Sequence, residues 1–476
     1  MRGYPLFLRV FWFGTLLGTA VAVAGCAAFS PDAGMSAVND VVAPALRDDA
    51  VKLGTDQDAA AARARTQQLL KQPLSAEVAV RIALLNNRGL QAAYNELGIA
   101  EAVMVQASLP PSPTLSLSHI STPVEVDIEA KVVADILALA TLPTRAEIAA
   151  DRFRQAQLRA ADETLRVAME VRRSYYRALA ARQIITSLNE AVSAADTAAK
   201  LAKELGQTGA MNKLDQARDE AFHADLLIRL AAARNNEATE RQRLIRAMGL
   251  SDDNSGFRLP RMLPSLPRRP RNPVAVETEA LRRRVDLQIA RIELDALAKS
   301  YGLTKTTRFI NLLEVAGISR TQREASGAEG TGGGAEVAFQ IPIFDFGEAR
   351  LRQAGESYMQ AVNRLAEQTV NVRSQAREAY RRYRSSYDIA AQYRSRILPL
   401  RKTIADETML RYGAMQIDVF ALLTEAQRRI NANIAAIEAQ RDFWLATTNL
   451  DAAIVGGGEA RSQPIGSAAG AVRIEQ

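Results

Sequence analysis

The sequence predicts a mainly helical protein in which a unit of long antiparallel helices and one strand pair occurs twice. Three observations support this fold class. The 476 residues are 48% hydrophobic but only 5% aromatic, and the Ala and Leu that dominate the hydrophobic residues favour long helices. Two runs of about 60 residues almost lack Gly and Pro, and segments of the two halves match in register. Together these observations indicate a duplicated, elongated helical architecture.

The duplication rests on matches at nearly constant spacing. Gly-Ala-Met occurs at 209–211 and again at 413–415, and Tyr176-Arg177 recurs 204 residues later as Tyr380-Arg381. Over the fifteen residues 83–97, seven are identical to the residues 197 positions downstream. Chance in an Ala- and Leu-rich chain gives about one or two such matches, so we favour a tandem duplication.

Each half shows the same order of elements. The first begins with a predicted helix over about 75–109, which ends at a group of prolines, and a strand pair over about 113–135 follows. The second begins with a helix over about 274–302, followed by a strand pair over about 306–344. The loop of this second pair is expected to be the longer one and to contain Gly332-Gly333-Gly334.

Long helices follow each strand pair. We predict them over Arg145–Leu205 and Glu348–Leu410, each about 90 Å long as helix. Pro399 is expected to kink or divide the second of them. Return helices are expected over about 212–248 and 416–454.

The reversals between these helices are assigned to glycines. Gly209 and Gly413 lie between the long and the return helices, where a left-handed Gly can end a helix. A stripe of Ala and Tyr at spacings of three or four runs from Ala376 to Ile404. We interpret it as ordinary helix packing because a Tyr stripe is more often packing than a binding site.

The first 25 residues are predicted to be a signal peptide. Arg2 and Arg9 precede the apolar run Val10–Ala24, which is short for a membrane span. The segment resembles a bacterial lipoprotein signal, which implies that Cys26, the only Cys, carries a diacylglycerol and an N-acyl chain such as palmitate. An ordinary secretory signal with an incidental Cys is the alternative. No apolar stretch of about 18 residues follows, so no further transmembrane helix is expected.

The composition does not favour an enzyme or a nucleic-acid-binding protein. The formal net charge is +7, but basic and acidic residues are interleaved, so nucleic acid is not an expected partner. His119 and His223 are far apart in sequence, and with a single Cys they offer neither a clustered metal site nor a Cys/His nucleophile pair. Carboxylate or Ser/Lys chemistry is not ruled out by counting, but no arrangement suggests it. We therefore predict no catalytic residue, no metal and no cofactor beyond the covalent lipid.

Loose sequence patterns occur at the element boundaries. In chain order they are Leu90-Gln91-Ala92-Ala93, Leu109-Pro110-Pro111-Ser112-Pro113, Ile341-Pro342-Ile343-Phe344-Asp345-Phe346-Gly347 and Arg411-Tyr412-Gly413 with Asp418. With the duplication and the lipoprotein signal, they make the chain resemble the TolC-type outer-membrane efflux channels. The likeness is to their lipoprotein branch, the outer-membrane factors of resistance-nodulation-division-type efflux, and it covers about 75–455.

The resemblance implies a homotrimer with a helical tunnel and a shared barrel. The long helices would form a trimeric α-barrel across the periplasm, and four strands per chain would contribute to one twelve-stranded β-barrel in outer-membrane lipid. Four strands cannot close a barrel alone, and lipid does not tolerate open sheet edges, so several chains must share one barrel. Such a channel passively exports substrates delivered by an inner-membrane efflux transporter and a periplasmic adaptor. The alternative is a lipid-anchored periplasmic coiled-coil scaffold or adaptor without a pore.

The resemblance also places the periplasmic tip and gate at the two helical reversals. The candidate residues are Arg411, Tyr412, Gly413 and Asp418 at one reversal and Gly209, Leu214 and Asp215 at the other. Three copies of Asp418 on a trimer axis would form a carboxylate ring, whereas the alternative role of Asp418 is to cap its helix. Asp215 lies six residues after its Gly and Asp418 five, so the halves need a one-residue shift there.

The predicted organisation therefore has six parts, from the signal peptide to a flexible tail. In order they are the signal peptide 1–25, a lipidated extended segment 26–74, the first repeat 75–260, a Pro/Arg-rich linker 261–273, the second repeat 274–455 and the tail 456–476. The sequence does not indicate whether the exported substrate is a drug, a metal ion, another small molecule or a protein.

Overall fold

The computed structural model describes residues 29–251, 256–272, 276–324 and 326–458. The predicted signal peptide, the lipid site at Cys26 and the tail beyond 458 lie outside these residues. The chain divides into two compact units. Of the described residues, the sheet unit comprises 29–36, 95–157 and 289–366, and the helical unit comprises 37–94, 158–288 and 367–458.

The elements follow the duplicated order. The helices are α1 (Met35–Leu46), α2 (Asp56–Leu70), α3 (Ala76–Asn86), α4 (Arg88–Ser108), α5 (Ile136–Gln207), α6 (Lys213–Met248), α7 (Val276–Arg283), α8 (Val285–Thr306), α9 (Glu348–Gln392), α10 (Leu398–Gly413) and α11 (Val419–Val455). The strands are β1 (Thr114–Ser121), β2 (Glu125–Asp135), β3 (Leu312–Glu324) and β4 (Glu329–Gln340).

The four strands form one antiparallel sheet in the order β1-β2-β3-β4. The central pairing joins the two halves of the chain, since β2 lies beside β3 from Glu125 opposite Glu324 to Asp135 opposite Glu314. Both strand pairs fall within the ranges expected from the sequence, about 113–135 and 306–344. Strand pairing therefore places the two repeats side by side in the sheet unit.

The prediction that Gly332, Gly333 and Gly334 lie in a loop between the strands of the second pair is wrong. Gly332, Gly333 and Gly334 lie inside β4, opposite Arg320, Ser319 and Ile318 of β3. The backbone ladder with β3 holds these glycines extended, although Gly has little intrinsic preference for strands. The second connection is consequently short, since β3 ends at Glu324 and β4 begins at Glu329.

The segment 26–74 is not extended over its described part. It contains α1 and α2, and Val38 and Val42 of α1 are fully buried. The Thr55 side chain accepts a hydrogen bond from the Asp58 N–H while the Asp58 carboxylate accepts one from the Thr55 N–H. This capping box starts α2 in a stretch rich in Ala, which favours helix.

The two long helices differ in how they begin and continue. α5 starts at Ile136, directly after β2 and earlier than the expected Arg145, because the Asp135 carboxylate accepts the Ala138 N–H at 2.8 Å. α9 and α10 are separated by a π-helical segment, Tyr393–Ile397, and Pro399 lies in the first turn of α10. Proline lacks an N–H to continue the ladder, so the wider π turn divides the second helix as Pro399 predicts.

The helical unit is held together by packing between its long helices. Tyr383 and Phe443, on α9 and α11, are 2% and 1% exposed, and their ring centroids lie 5.5 Å apart. Leu450 lies in the same cluster, while Leu226 of α6 packs in a second one. Burying each such side chain contributes about 1.5–3 kcal/mol. The Tyr stripe of α9 is thus used for helix packing.

The segment 256–272, called the strap below, is ordered by side chains of the long helices, although it contains neither helix nor strand. Trp444 Nε1 and Gln440 Nε2 donate to the Pro264 carbonyl at 2.9 and 2.7 Å. Further contacts are Leu263 N–H to Gln183 Oε1, Arg241 to the Phe257 carbonyl, Tyr387 Oη to the Pro267 carbonyl and Arg271 N–H to Tyr383 Oη. Residues of α5, α6, α9 and α11 thus all bind the strap.

Candidate functional site

The sheet has one apolar and one charged face. In β2 the even-numbered residues from 126 to 134 are Val, Ile, Ala, Val and Ala, whereas the odd-numbered residues from 125 to 135 are mostly charged. Successive strand residues point to opposite faces, and residues paired across strands share a face. The register therefore assigns every position of β1, β3 and β4 to one of these two faces.

The apolar face is exposed in the single chain. Leu115 pairs with Val132, and Val337 pairs with Val315, so all four lie on this face. Leu115, Val337 and the neighbouring Phe339 are 60–63% exposed. Within the described residues, β1 and β4 are each paired on one side only. An uncovered apolar face and open edge strands are features of surfaces that associate with a partner.

The charged face is predominantly acidic. Arg320 Nε donates to Asp127 Oδ1 at 2.9 Å, and Lys131 Nζ lies 2.7 Å from Glu336 Oε2. The other carboxylates that the register places on this face are Glu125, Glu129, Asp135, Glu314 and Glu324. The two ion pairs join β2 to β3 and β4, and they leave an excess of negative charge on this face.

The first helical reversal follows α5. The Gly209 N–H donates to the Gly206 carbonyl and the Ala210 N–H to the Leu205 carbonyl, at 3.1 and 2.8 Å. These bonds make a Schellman-type helix end, in which one residue must be left-handed. Gly209 takes that position with φ +77°, as its sequence context predicts.

The second reversal has the same hydrogen bonds but a different left-handed residue. The Met415 N–H donates to the Tyr412 carbonyl and the Gln416 N–H to the Arg411 carbonyl, both at 2.9 Å. Met415 has φ +58° and is 93% exposed. Gly413 is the last residue of α10, so the expectation that Gly413 is left-handed is wrong. Because α10 continues through Gly413, the left-handed position falls two residues later.

The capping residues correct the alignment of the halves. Asn212 and Asp418 are equivalent N-caps: the Asn212 Oδ1 accepts the Asp215 N–H at 2.8 Å, and the Asp418 Oδ1 accepts the Ala421 N–H at 2.9 Å. The two reversals therefore correspond at a spacing of 206 residues, as Gly209 and Met415 also show. The Gly-Ala-Met tripeptides are 204 residues apart, so they differ from this structural spacing by two residues. The expected pairing of Asp215 with Asp418 is wrong, because Asp215 corresponds to Ala421.

The remaining candidate residues lie close to these caps. Asp215 accepts a hydrogen bond from Asn212 Nδ2 at 2.7 Å and pairs with Arg218 at 3.2 Å. Leu214 is 61% exposed in the first turn of α6. Arg411 is exposed and Tyr412 half-buried in the last turn of α10. The structure gathers each set at its own reversal, and their predicted role in a gate remains a prediction.

Contacts between α6 and α11 link the two helical hairpins, which are α5 with α6 and α10 with α11. The Arg218 guanidinium carbon lies 5.1 Å from the centre of the Phe420 ring, and Arg229 donates to Asn431 at 2.7 Å. Asp219, which follows Arg218 and lies one turn from Asp215, is 5% exposed, and burial together with the charge of Asp215 raises the pKa of its carboxyl group. The sequence gives no local signal for the contacts between α6 and α11. For the N-cap Asn212 it does give one, because Asn212-x-x-Asp215 has the spacing of a capping box.

Among the described residues, no group of three or more His, Cys, Asp or Glu side chains could hold a metal ion. Among the same residues, no helix combines the length and apolarity needed to cross a membrane.

Known structures share the fold, whereas sequence comparisons do not find relatives. No protein-family model matches the chain, and no curated protein matches its sequence. The CusC structure, from work on transmembrane channel formation, matches 80% of this chain and 92% of its own length, at 16% identity and a TM-score of 0.69. The outer membrane protein VceC of Vibrio cholerae matches 83% and 97%, at 14% identity and 0.67. The CmeC outer membrane channel of Campylobacter jejuni matches 91% and 88%, at 15% identity and 0.61.

At these identities the comparison establishes the fold. The shared features are the long antiparallel helices and the four-stranded sheet, so the predicted architecture of the chain is confirmed. The chain therefore has the fold of the outer-membrane channels that its resemblance to the TolC-type family predicted.

Proposed function

We propose that this chain is one protomer of a homotrimeric outer-membrane channel. The observation that carries the proposal is the two-faced sheet, whose apolar face is exposed and whose edge strands are open in the single chain. Three copies would pair β1 of one chain with β4 of the next and close a twelve-stranded barrel. The apolar face would then contact outer-membrane lipid, and the acidic face would line the pore.

The channel would work passively within a tripartite efflux system. An inner-membrane transporter would supply the substrate, and a periplasmic adaptor would join that transporter to the helical reversals of the channel. The helical unit would form the periplasmic tunnel. No cofactor is needed, because the chain would conduct substrate rather than transform it.

Lipid attachment would anchor each protomer to the membrane. Cys26 would carry the diacylglycerol and the N-acyl chain, which together bury enough methylene groups for stable anchoring. Growth with radiolabelled palmitate should label the wild-type chain and leave Cys26→Ser unlabelled. Label retained by the variant would refute the proposed lipid site.

Electrophoresis and conductance test the channel directly. Unheated detergent extracts should contain a species of three chains, and the purified species should produce discrete conductance steps in planar bilayers. A monomer that never conducts would instead support the rival function, a lipid-anchored periplasmic scaffold or adaptor without a pore. The matched control is the same preparation after heating, which should migrate as a monomer and lose conductance.

A further inference from the structure

The positive charge of the chain is concentrated in one short region. Residues 256–284, called the basic belt below, run from the start of the strap through α7 to Arg284 and contain eight Arg and two Glu. This stretch therefore accounts for six of the seven net positive charges of the chain. Two aspartates, Asp252 and Asp253, precede it. The interleaving of charges expected from the sequence as a whole does not hold in this region.

Three of these arginines have structural partners. Arg271 pairs with Asp451, Arg283 with Glu279 and Arg284 with Asp286. The other five are exposed, and none forms an ion pair within the part of the chain that the structure describes: Arg258, Arg261, Arg268, Arg269 and Arg282. Their charges are therefore available to a partner outside the chain.

The strap backbone, which carries four of these five arginines, is held in place. Four prolines lie in the strap, and its carbonyls accept hydrogen bonds from Trp444, Gln440, Tyr387 and Arg394. Leu259, Leu263 and Leu266 are 3–6% exposed, and their buried side chains anchor the strap. A pre-ordered backbone loses little conformational entropy when its side chains bind a ligand.

The chemistry of the belt favours a hydrated polyanion. Met262 is the one large hydrophobic side chain exposed in the described part of the belt, and Phe257 is 3% exposed. Stable protein interfaces usually need a buried apolar or aromatic centre, and membrane-surface segments need apolar side chains to insert. Exposed guanidinium groups, by contrast, pair readily with carboxylates, often in a bidentate geometry.

We propose that the basic belt binds the carboxylate-bearing, peptide-cross-linked glycan of the cell wall. The inference rests on the proposed function for the periplasmic location of the belt. Arg258, Arg261, Arg268, Arg269 and Arg282 contact the free carboxylates of the peptide stems. The strap keeps the first four of these arginines spaced along the polymer, and α7 carries Arg282. These ionic contacts hold the protein in the cell-wall layer, and they bury no apolar surface of the belt.

Co-sedimentation with purified cell-wall sacculi tests the proposal. The full-length protein in detergent should pellet with sacculi at low salt and be released at high salt, because exposed charge pairs are screened. Replacing all five free arginines by Gln should lower the bound fraction about tenfold. Sacculi whose carboxyl groups have been converted to amides should bind the wild-type protein as weakly as native sacculi bind the variant.

A matched control separates the belt from net charge. Five exposed arginines outside the belt, also without an ion pair among the described residues, are replaced by Gln: Arg152, Arg352, Arg364, Arg373 and Arg381. This variant loses the same charge but should pellet with sacculi like the wild type. Unheated electrophoresis checks that both variants assemble normally.

Three outcomes overturn the proposal. They are equal loss of binding in both variants, undiminished binding to amidated sacculi, and binding of the wild type to phosphatidylglycerol vesicles but not to sacculi. Conductance of the same preparations is recorded separately. Absence of conductance in the wild type would count against the channel while leaving the sacculus result to be read independently.

Discussion

Gly209 and Met415 occupy the same left-handed position in two helix ends that share one hydrogen-bond pattern. Their φ angles are +77° and +58°, and each precedes the N-cap of the next helix by three residues. A Met side chain in this conformation is strained by about 1–2 kcal/mol, whereas Gly is not. The second reversal therefore stores strain that the first one lacks.

Replacing Met415 by Gly should stabilise the second reversal. Release of strain outweighs the extra chain entropy of Gly, so the local opening free energy should rise by up to about 1 kcal/mol. Amide exchange of Gln416, whose N–H bonds the Arg411 carbonyl, should slow accordingly. Gly209→Met is the reciprocal control and should accelerate exchange of Ala210. Faster exchange of Gln416 in the Gly variant would contradict this account.

Asp418 can be tested separately as a cap and as a charge. Asp418→Ala removes the acceptor of the Ala421 N–H and should destabilise the start of α11 by about 1 kcal/mol. Asp418→Asn keeps an acceptor and should preserve amide protection. If the carboxylates gather on the trimer axis, the Asn variant should also reduce cation preference in bilayer recordings. An Asn variant with wild-type selectivity would leave Asp418 a capping role only.

The contact of Arg218 with Phe420 should couple the two hairpins. Single and double Ala variants of these residues should give a coupling free energy of about 0.5–1 kcal/mol in thermal unfolding. The single variants should also prolong open events in conductance records, because the hairpins separate more easily. Arg429→Ala, an exposed position on α11, is the control and should change neither quantity. Additive effects of the two single variants would show that the contact carries no energy.

Tyr383 should be needed to hold the strap. Tyr383→Phe keeps the buried ring but leaves the Arg271 N–H without its partner, at a cost of about 1–3 kcal/mol. Limited trypsin digestion should then cut the strap after Arg271 faster than in the wild type. Tyr412→Phe, half-buried near the second reversal, should leave the cleavage rate unchanged. Equal cleavage rates in wild type and Tyr383→Phe would mean that the strap is held by its other contacts.

Asp162 should make the helical unit less stable at neutral pH than at acid pH. Burial raises the pKa of its carboxyl above the ordinary value of 3.8, while Oδ1 accepts the Gly457 N–H at 2.9 Å. The folded chain thus holds the proton more tightly than the unfolded chain. The stability that the protonated carboxyl contributes to folding is therefore lost as pH rises from 3.8 through the folded pKa. Asp162→Asn keeps the acceptor and should raise the unfolding temperature at neutral pH. The gain should vanish below pH 3.8, and a gain that persists there would contradict the assignment to the charge.

The sequence predicts those elements whose signals are local. The alternation in Glu125–Asp135 identifies β2, the prolines end the first helix, and Pro399 divides the second long helix. The Tyr stripe likewise gives the packing face of α9. Each of these features depends on residues within a few positions of one another, which is why periodicity and proline chemistry suffice.

Features imposed by distant residues could not be predicted in this way. Gly332 to Gly334 are extended because β3 pairs with them, and the strap is ordered because Trp444 and Gln440, far along the chain, bind its carbonyls. Met415 could not be predicted for a different reason: the bonds that require a left-handed residue there are local, but Met itself gives no signal of that conformation. The resemblance to a known family places the candidate residues at the two reversals. Which residue of one reversal corresponds to which of the other follows only from the N-caps Asn212 and Asp418 in the structure.

The glycines of β4 bear on how such a protein assembles. An edge strand with Gly at 330, 332, 333 and 334 has little tendency to stay extended when only one side is paired. The ladder with β3 holds β4 extended in the single chain, and we expect pairing of its free edge with β1 of another chain to stabilise it further. Association would then be a folding step in its own right, with a rate that depends on protein concentration. Isolated protomers would be recognisable by rapid amide exchange in β4 while β2 and β3 remain protected.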